Sequence, residues 1–189
     1  MQVLVRVTIG AITLRNSEVE SLASIYPAGR RKLFTGALAT EDVVKRESAR
    51  STVLHISAPA LLDDATPMSS FIALSNTGSN DDGVFQSREI LNLQTTAKVA
   101  VLSHVSHIGN YSTAQLAMSW AWFVAGSPDL VMNRWETKSP SNAILMKEFH
   151  SRLRMQRLAK ALQQSALSLR NSTDYKHPYY WAGWFLIGQ

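Results

Sequence analysis

Two short runs hold the side chains that could do chemistry. In residues 98–109, KVAVLSHVSHIG, a continuous apolar stretch of Val99, Ala100, Val101 and Leu102 gives way to Ser103, His104, Val105, Ser106 and His107. A hydroxyl beside an imidazole able to take its proton is the minimum for nucleophilic catalysis. Ser103 and Ser106 are the hydroxyls available, and His107 or His55 is the base that could be paired with Ser106, although attack needs a tight geometry that sequence proximity does not supply. His104 and His107 stand three apart, a spacing that chelates a metal on a helix, but no acidic residue or third histidine is near them in the sequence. No metal site is therefore expected, and no cofactor. The second run, residues 54–60, reads LHISAPA. Its His55 sits alone among apolar neighbours, the setting of a buried, hydrogen-bonded histidine rather than of a catalytic one.

The elements around these runs must place them. Unbroken apolar residues suit a central strand of a parallel sheet covered on both faces better than a half-wet one. In open α/β sheets the residues past the carboxyl ends of strands line the ligand crevice, so residues 103–107 are expected just beyond their strand, in that crevice. Before them, alternation over residues 3–9 predicts a strand. Val19, Leu22, Ala23 and Tyr26 follow helical spacing, closed by Pro27 and Gly29. Residues 32–35 predict a short strand, and Thr40 is read as the N-cap of a helix with Glu41 and Asp42 in its first turn. A strand follows over residues 52–57. Residues 71–74 and 83–85 are expected to pair as a hairpin, and Ser87 to cap a short helix. Beyond the central strand, residues 113–125 make a strongly apolar helix with Leu116, Ala117, Trp120 and Phe123 on one side and Gly126 at its end. Residues 129–135 predict a strand, and Ser139 with Pro140 a helix start. Met155, Leu158, Ala159, Leu162, Ala166 and Leu169 form one stripe on a last long helix, and residues 179–187 are expected to close the core. Alternating strands and helices imply an α/β layered domain with a mainly parallel central sheet.

The chain has 189 residues, 46% of them hydrophobic and 17% charged, enough for one sizeable core, so residues 1–189 are expected to form a single domain. The absence of cysteine excludes disulfides, thiolate metal sites and a cysteine nucleophile. No apolar run approaches the ~20 residues of a membrane span, and no leader is visible, so a cytoplasmic protein without membrane contact is expected. The net charge of +5 is spread along the chain without the Gly-aromatic pattern of an RNA-binding sheet, which argues against a nucleic-acid partner.

The order of the pieces resembles the CHAT domain, a bacterial relative of caspases and separases often attached to tetratricopeptide repeats. The resemblance runs through the helix EVESL of residues 18–22, Phe34-Thr35-Gly36, Ala39-Thr40-Glu41 and the strand Val53-Leu54-His55-Ile56. It continues through Asp82-Gly83-Val84-Phe85, the central strand, and Ala125-Gly126-Ser127 before Arg134-Trp135. Its most specific part is the ending HPYYWAGWFLIG, residues 177–188. The resemblance implies a three-layer caspase-like α/β fold with a mainly parallel central sheet and helices on both faces. It also implies that the chain lacks part of the family's N-terminal region.

Family members that act as peptidases are similar to this chain in two runs, LHxATHG and LSACxTG. Here these read Leu54 to Ala60 and Leu102 to His107, so the resemblance puts the catalytic His position at Pro59 and the catalytic Cys position at Val105. Proline has no side-chain proton to exchange and valine cannot attack a carbonyl. The acidic residues that the family places after the residue matching Trp135 give way to Glu136, Thr137, Lys138 and Ser139. The expectation is a catalytically inactive CHAT-like domain, a pseudo-peptidase working as a protein-interaction or regulatory module. Its partner would be a protein or peptide, tetratricopeptide-repeat segments of the same or a neighbouring chain among them. The alternatives are an enzyme with a site relocated to Ser103, Ser106, His55 or His107, and a non-functional fragment of a larger CHAT protein.

Overall fold

The computed structural model describes residues 7–11, 16–76, 81–109, 113–137 and 140–188. Its strands are β1 (Val7–Ala11), β2 (Arg31–Thr35), β3 (Val53–Asp63), β4 (Phe71–Ala73), β5 (Val84–Gln86), β6 (Val99–Ile108), β7 (Asp129–Asn133) and β8 (Trp184–Ile187). Its helices are α1 (Asn16–Ala23), α2 (Glu41–Ser48), α3 (Ser87–Ile90), α4 (Thr113–Ala125), α5 (Ser141–Leu153) and α6 (Leu158–Arg170). The sheet runs β2-β1-β3-β6-β7-β8, with β4 and β5 added as the expected hairpin beside β3. The four pairings from β2 through β7 are parallel, and β8 joins β7 antiparallel.

Each face of the sheet carries its own core. Leu54, Ile56, Ala100, Leu102, Leu130 and Met132 pack under Val44 of α2, Ile90 of α3 and Met118, Ala121 and Trp122 of α4. Val53, Val99, Val101 and Val131 pack under Val19 and Leu22 of α1, Leu145, Met146 and Phe149 of α5, and Ala161 and Leu162 of α6. Layers of helices on both sides explain why Val99 to Leu102 need no polar alternation, since each of them is buried. Thr40 caps α2 by accepting from the Val43 amide at 3.3 Å. Glu41 of the same first turn accepts the Gly83 amide at 2.9 Å, which ties α2 to the start of β5. Gly126 closes α4 at φ +109, where a Cβ would meet the Thr95 carbonyl at 2.8 Å.

Several expectations are corrected. β3 and β6 are longer than their apolar runs, so Pro59 lies inside β3 and Ser103, His104, Val105, Ser106 and His107 lie inside β6, not beyond its end. The added length comes from the two strands pairing with each other as far as Asp63 and Ile108. On α4 the stripe of Leu116 and Trp120 faces outward, at 65% and 63% exposed, while Ala114, Met118, Ala121, Trp122 and Ala125 face the sheet. The helix is apolar all round, so periodicity could not say which side was inner. Gln86 with Glu89, not Ser87, caps α3, and that helix stops at Ile90. Met155 stands before α6, at 89% exposed, so it does not belong to that helix's inner stripe. Ser139 and residues 1–6 lie outside the described residues. Among the described residues no helix is long and apolar enough to cross a membrane.

Candidate functional site

β3 and β6 carry the candidate residues, and a shift in their pairing decides where each one points. The register matches Ile56 with Leu102, then Pro59 with His104 and Ala60 with Val105. Between the first and last of these pairs β3 advances four residues while β6 advances three. An extra residue in one strand is a β-bulge, and Pro59, which has no N–H to give a ladder, stands at its edge. Along β3 the side chains of Leu54, Ile56, Ala58, Ala60 and Leu62 all enter the core beneath α4. Along β6, Ala100 and Leu102 enter that core, and after the shift it is Val105 that does so.

Alternation then fixes the neighbours. Pro59, between Ala58 and Ala60, projects from the opposite face of the sheet to Val105. The backbones at the two positions are adjacent, but the side chains have the sheet between them. Pro59 is exposed and Val105 is 0% exposed, so they do not border one shared cleft.

On the Pro59 face, His104 is buried and donates Nε2–H to Oε2 of Glu18, on α1, at 3.1 Å. The other carboxylate oxygen, Oε1, takes His55 Nε2–H at 2.8 Å. His55 Nδ1 lies 3.1 Å from His150 Nε2, on α5, and His150 Nδ1 lies 2.9 Å from the Tyr26 hydroxyl. One set of neutral tautomers satisfies every link. Tyr26 donates to His150, His150 to His55, and His55 and His104 both donate to a Glu18 carboxylate. Burial pushes the Glu18 carboxyl up, but the hydrogen bonds from His104 and His55 outweigh it and hold the group well below the usual carboxylate range. Burial keeps His150 neutral far below the usual imidazole range, with the neighbouring His55 adding to the effect. The Tyr26 hydroxyl is pushed up by burial, against the pull of Arg154.

This network is closed to solvent. Glu18, His55, His104, His150 and Tyr26 are all buried, so the chain of hydrogen bonds ties α1 and α5 to the sheet. Nothing in the sequence joined these residues, because His55 and His150 are 95 positions apart and Glu18 is 37 positions before His55. The expectation that no acidic group lies near His104 is corrected by Glu18. His104 and His107 themselves point to opposite faces of a strand, and among the described residues no group of three or more potential ligands could hold a metal.

The remaining candidates are dispersed. Ser103 is fully buried, and its hydroxyl has no hydrogen-bond partner among the described residues. Ser106 is half-buried, 3.4 Å from Glu136 Oε2, a long contact. Its neighbour His107 points to the other face, and burial lowers the affinity of that imidazole for a proton while Asp64 partly restores it. His55 spends both ring nitrogens on Glu18 and His150.

A mainly parallel sheet between two helical layers defines a caspase-like α/β fold. The family model described as CHAT domain matches residues 3–189, and the chain belongs to the CHAT domain family. No curated protein matches the chain.

Proposed function

We propose that this chain is a CHAT domain without peptidase activity that serves as a protein-interaction module. The observation that carries the reading is the fate of the two dyad positions. Valine at 105 is sealed under α4, and proline at 59 projects from the far face of the sheet. Attack on a carbonyl needs nucleophile and base within hydrogen-bond reach, so both the chemistry and the geometry of a dyad are missing. The outer face of α4 supports the second half of the reading. Leu116, Trp120 and Val124 are exposed there, and the groove that Leu116 and Trp120 border with Met68, Phe123 and Ile187 has no charged lining residue. A partner helix with an apolar stripe fits such a face, and helices of a tetratricopeptide-repeat segment, in the same or a neighbouring chain, are of that kind.

The test is hydrolysis of a fluorogenic peptide library by the wild type and by the double variant Pro59→His, Val105→Cys. Neither is expected to turn over substrate, because the restored side chains stay on opposite faces. Turnover by the wild type that disappears with Ser106→Ala or His107→Ala overturns the reading.

A further inference from the structure

At the amino-terminal ends of the strands, away from Pro59 and Val105, the molecule has a second recess. Val53, Val99 and Asp129, the first residues of β3, β6 and β7, form it with Tyr26, Leu153 and Leu158. Its volume is about 200 Å³, below the ~300 to 1,000 Å³ usual for drug-sized ligands, so it admits a body of one ring or a short chain. Val53 and Val99 are buried and make an apolar floor, and Leu153 and Leu158 are half-buried walls.

The charged groups at its mouth are mostly of one sign. Lys98 and Arg154 line it against the single acid Asp129. Arg154 donates one N–H to the Ile25 carbonyl at 3.1 Å, which fixes its guanidinium and leaves other N–H groups to give. Among the described residues Lys98 forms no salt bridge. Tyr26 contributes little to an anion, since its proton is committed to His150 2.9 Å away. The negative head of a ligand would therefore be held by the two cations, while its body lies on the valines and leucines.

We propose that this recess binds a small monocarboxylate with an apolar body, its carboxylate between Lys98 and Arg154. The site is independent of the interaction reading above. The test follows backbone amide resonances of the full chain while benzoate is added at constant ionic strength, with benzyl alcohol and inorganic phosphate as separate probes. Benzoate is expected to shift Val53, Val99 and Leu158 saturably in the millimolar range, with each of the other two probes at least tenfold weaker. Lys98→Gln and Arg154→Gln should each weaken benzoate by about tenfold, the scale of one charge-assisted hydrogen bond. Both replace exposed side chains, and unchanged α4 resonances report that the fold is intact. The proposal is overturned if benzoate gives no saturable shift, if phosphate or benzyl alcohol binds as tightly, or if both variants bind benzoate like the wild type.

Discussion

Removing the carboxylate at position 18 tests whether the buried network fastens α1 to the sheet. In Glu18→Ala, the Nε2–H groups of His55 and His104 lose their acceptor in a buried site. A buried donor left unpaired costs about 1–3 kcal/mol, so two cost about 2–6 kcal/mol against a total domain stability of about 5–15 kcal/mol. Glu18→Gln should behave differently. Its amide oxygen can accept from His55, whose Nδ1 is already engaged and whose tautomer is therefore fixed. Its NH2 group then faces His104, whose Nδ1 has no partner, so His104 can move its proton there and accept from the amide. Two donors, the His104 Nδ1–H and the second amide N–H, still end unpaired, but position 18 keeps a hydrogen bond to each histidine and no cavity opens, so the expected loss is smaller than that of the alanine variant. Urea unfolding at pH 7 measures both, as a fall in midpoint at constant slope. If Glu18→Ala stays within about 0.5 kcal/mol of the wild type, the range of an ordinary surface change, the hydrogen bonds are not holding the helix and the argument is wrong.

The same network gives stability a pH dependence. His150 takes a proton near its ordinary value of 6.5 when unfolded but only well below that when folded, so the unfolded state binds more protons in acid. Stability is then fully present above about pH 6.5 and falls below it, by up to about 1.4 kcal/mol per pH unit, and Glu18, also held low, adds its loss only in stronger acid. Urea midpoints at pH 7, 6 and 5 should fall for the wild type and fall less steeply for His150→Leu; equal slopes would remove the histidine from the account. The two tryptophans of α4 should separate cleanly. Trp122→Ala, at a fully buried site, is expected to cost about 3–5 kcal/mol. Trp120→Asp, on the exposed face, should leave the unfolding midpoint within about 0.5 kcal/mol while abolishing binding of a tetratricopeptide-repeat partner, and retained binding would move the interface elsewhere.

Much of the architecture was legible because single-residue signals agreed with longer periodicities. Thr40 with Glu41 and Asp42 marked the start of α2, and four consecutive apolar residues marked β6 as central. The proposed lack of peptidase activity rests in part on residue types, proline at 59 and valine at 105, that are read directly from the sequence. The inner face of α4 was not, because a helix apolar on every side has no contrast for periodicity to detect. The Glu18 network was hidden for another reason. Its members come from α1, β3, β6, α5 and the turn after α1, and each is polar for a cause that exists only after the layers meet. The far ends of β3 and β6 were hidden because Pro59 and the Ser-His run look like strand endings, whereas the mutual pairing of the two strands carries them on.

The bulge between β3 and β6 keeps the side chains at 59 and 105 on opposite faces of the sheet. For position 59 to share a face with position 105, one strand would have to slip by a single residue past the shift. Such a slip reverses every side chain beyond it. Ala60 and Leu62 would then leave the core under α4, or else Val105 would, and each is now buried there. Losing Leu62 alone from that core would cost about 2–5 kcal/mol on the scale of leucine truncation. On the other face, His104 would turn away from Glu18 and leave a buried carboxylate with one of its two donors. The core under α4 and the buried network on the other face therefore both resist the slip and keep positions 59 and 105 on opposite sides of the sheet.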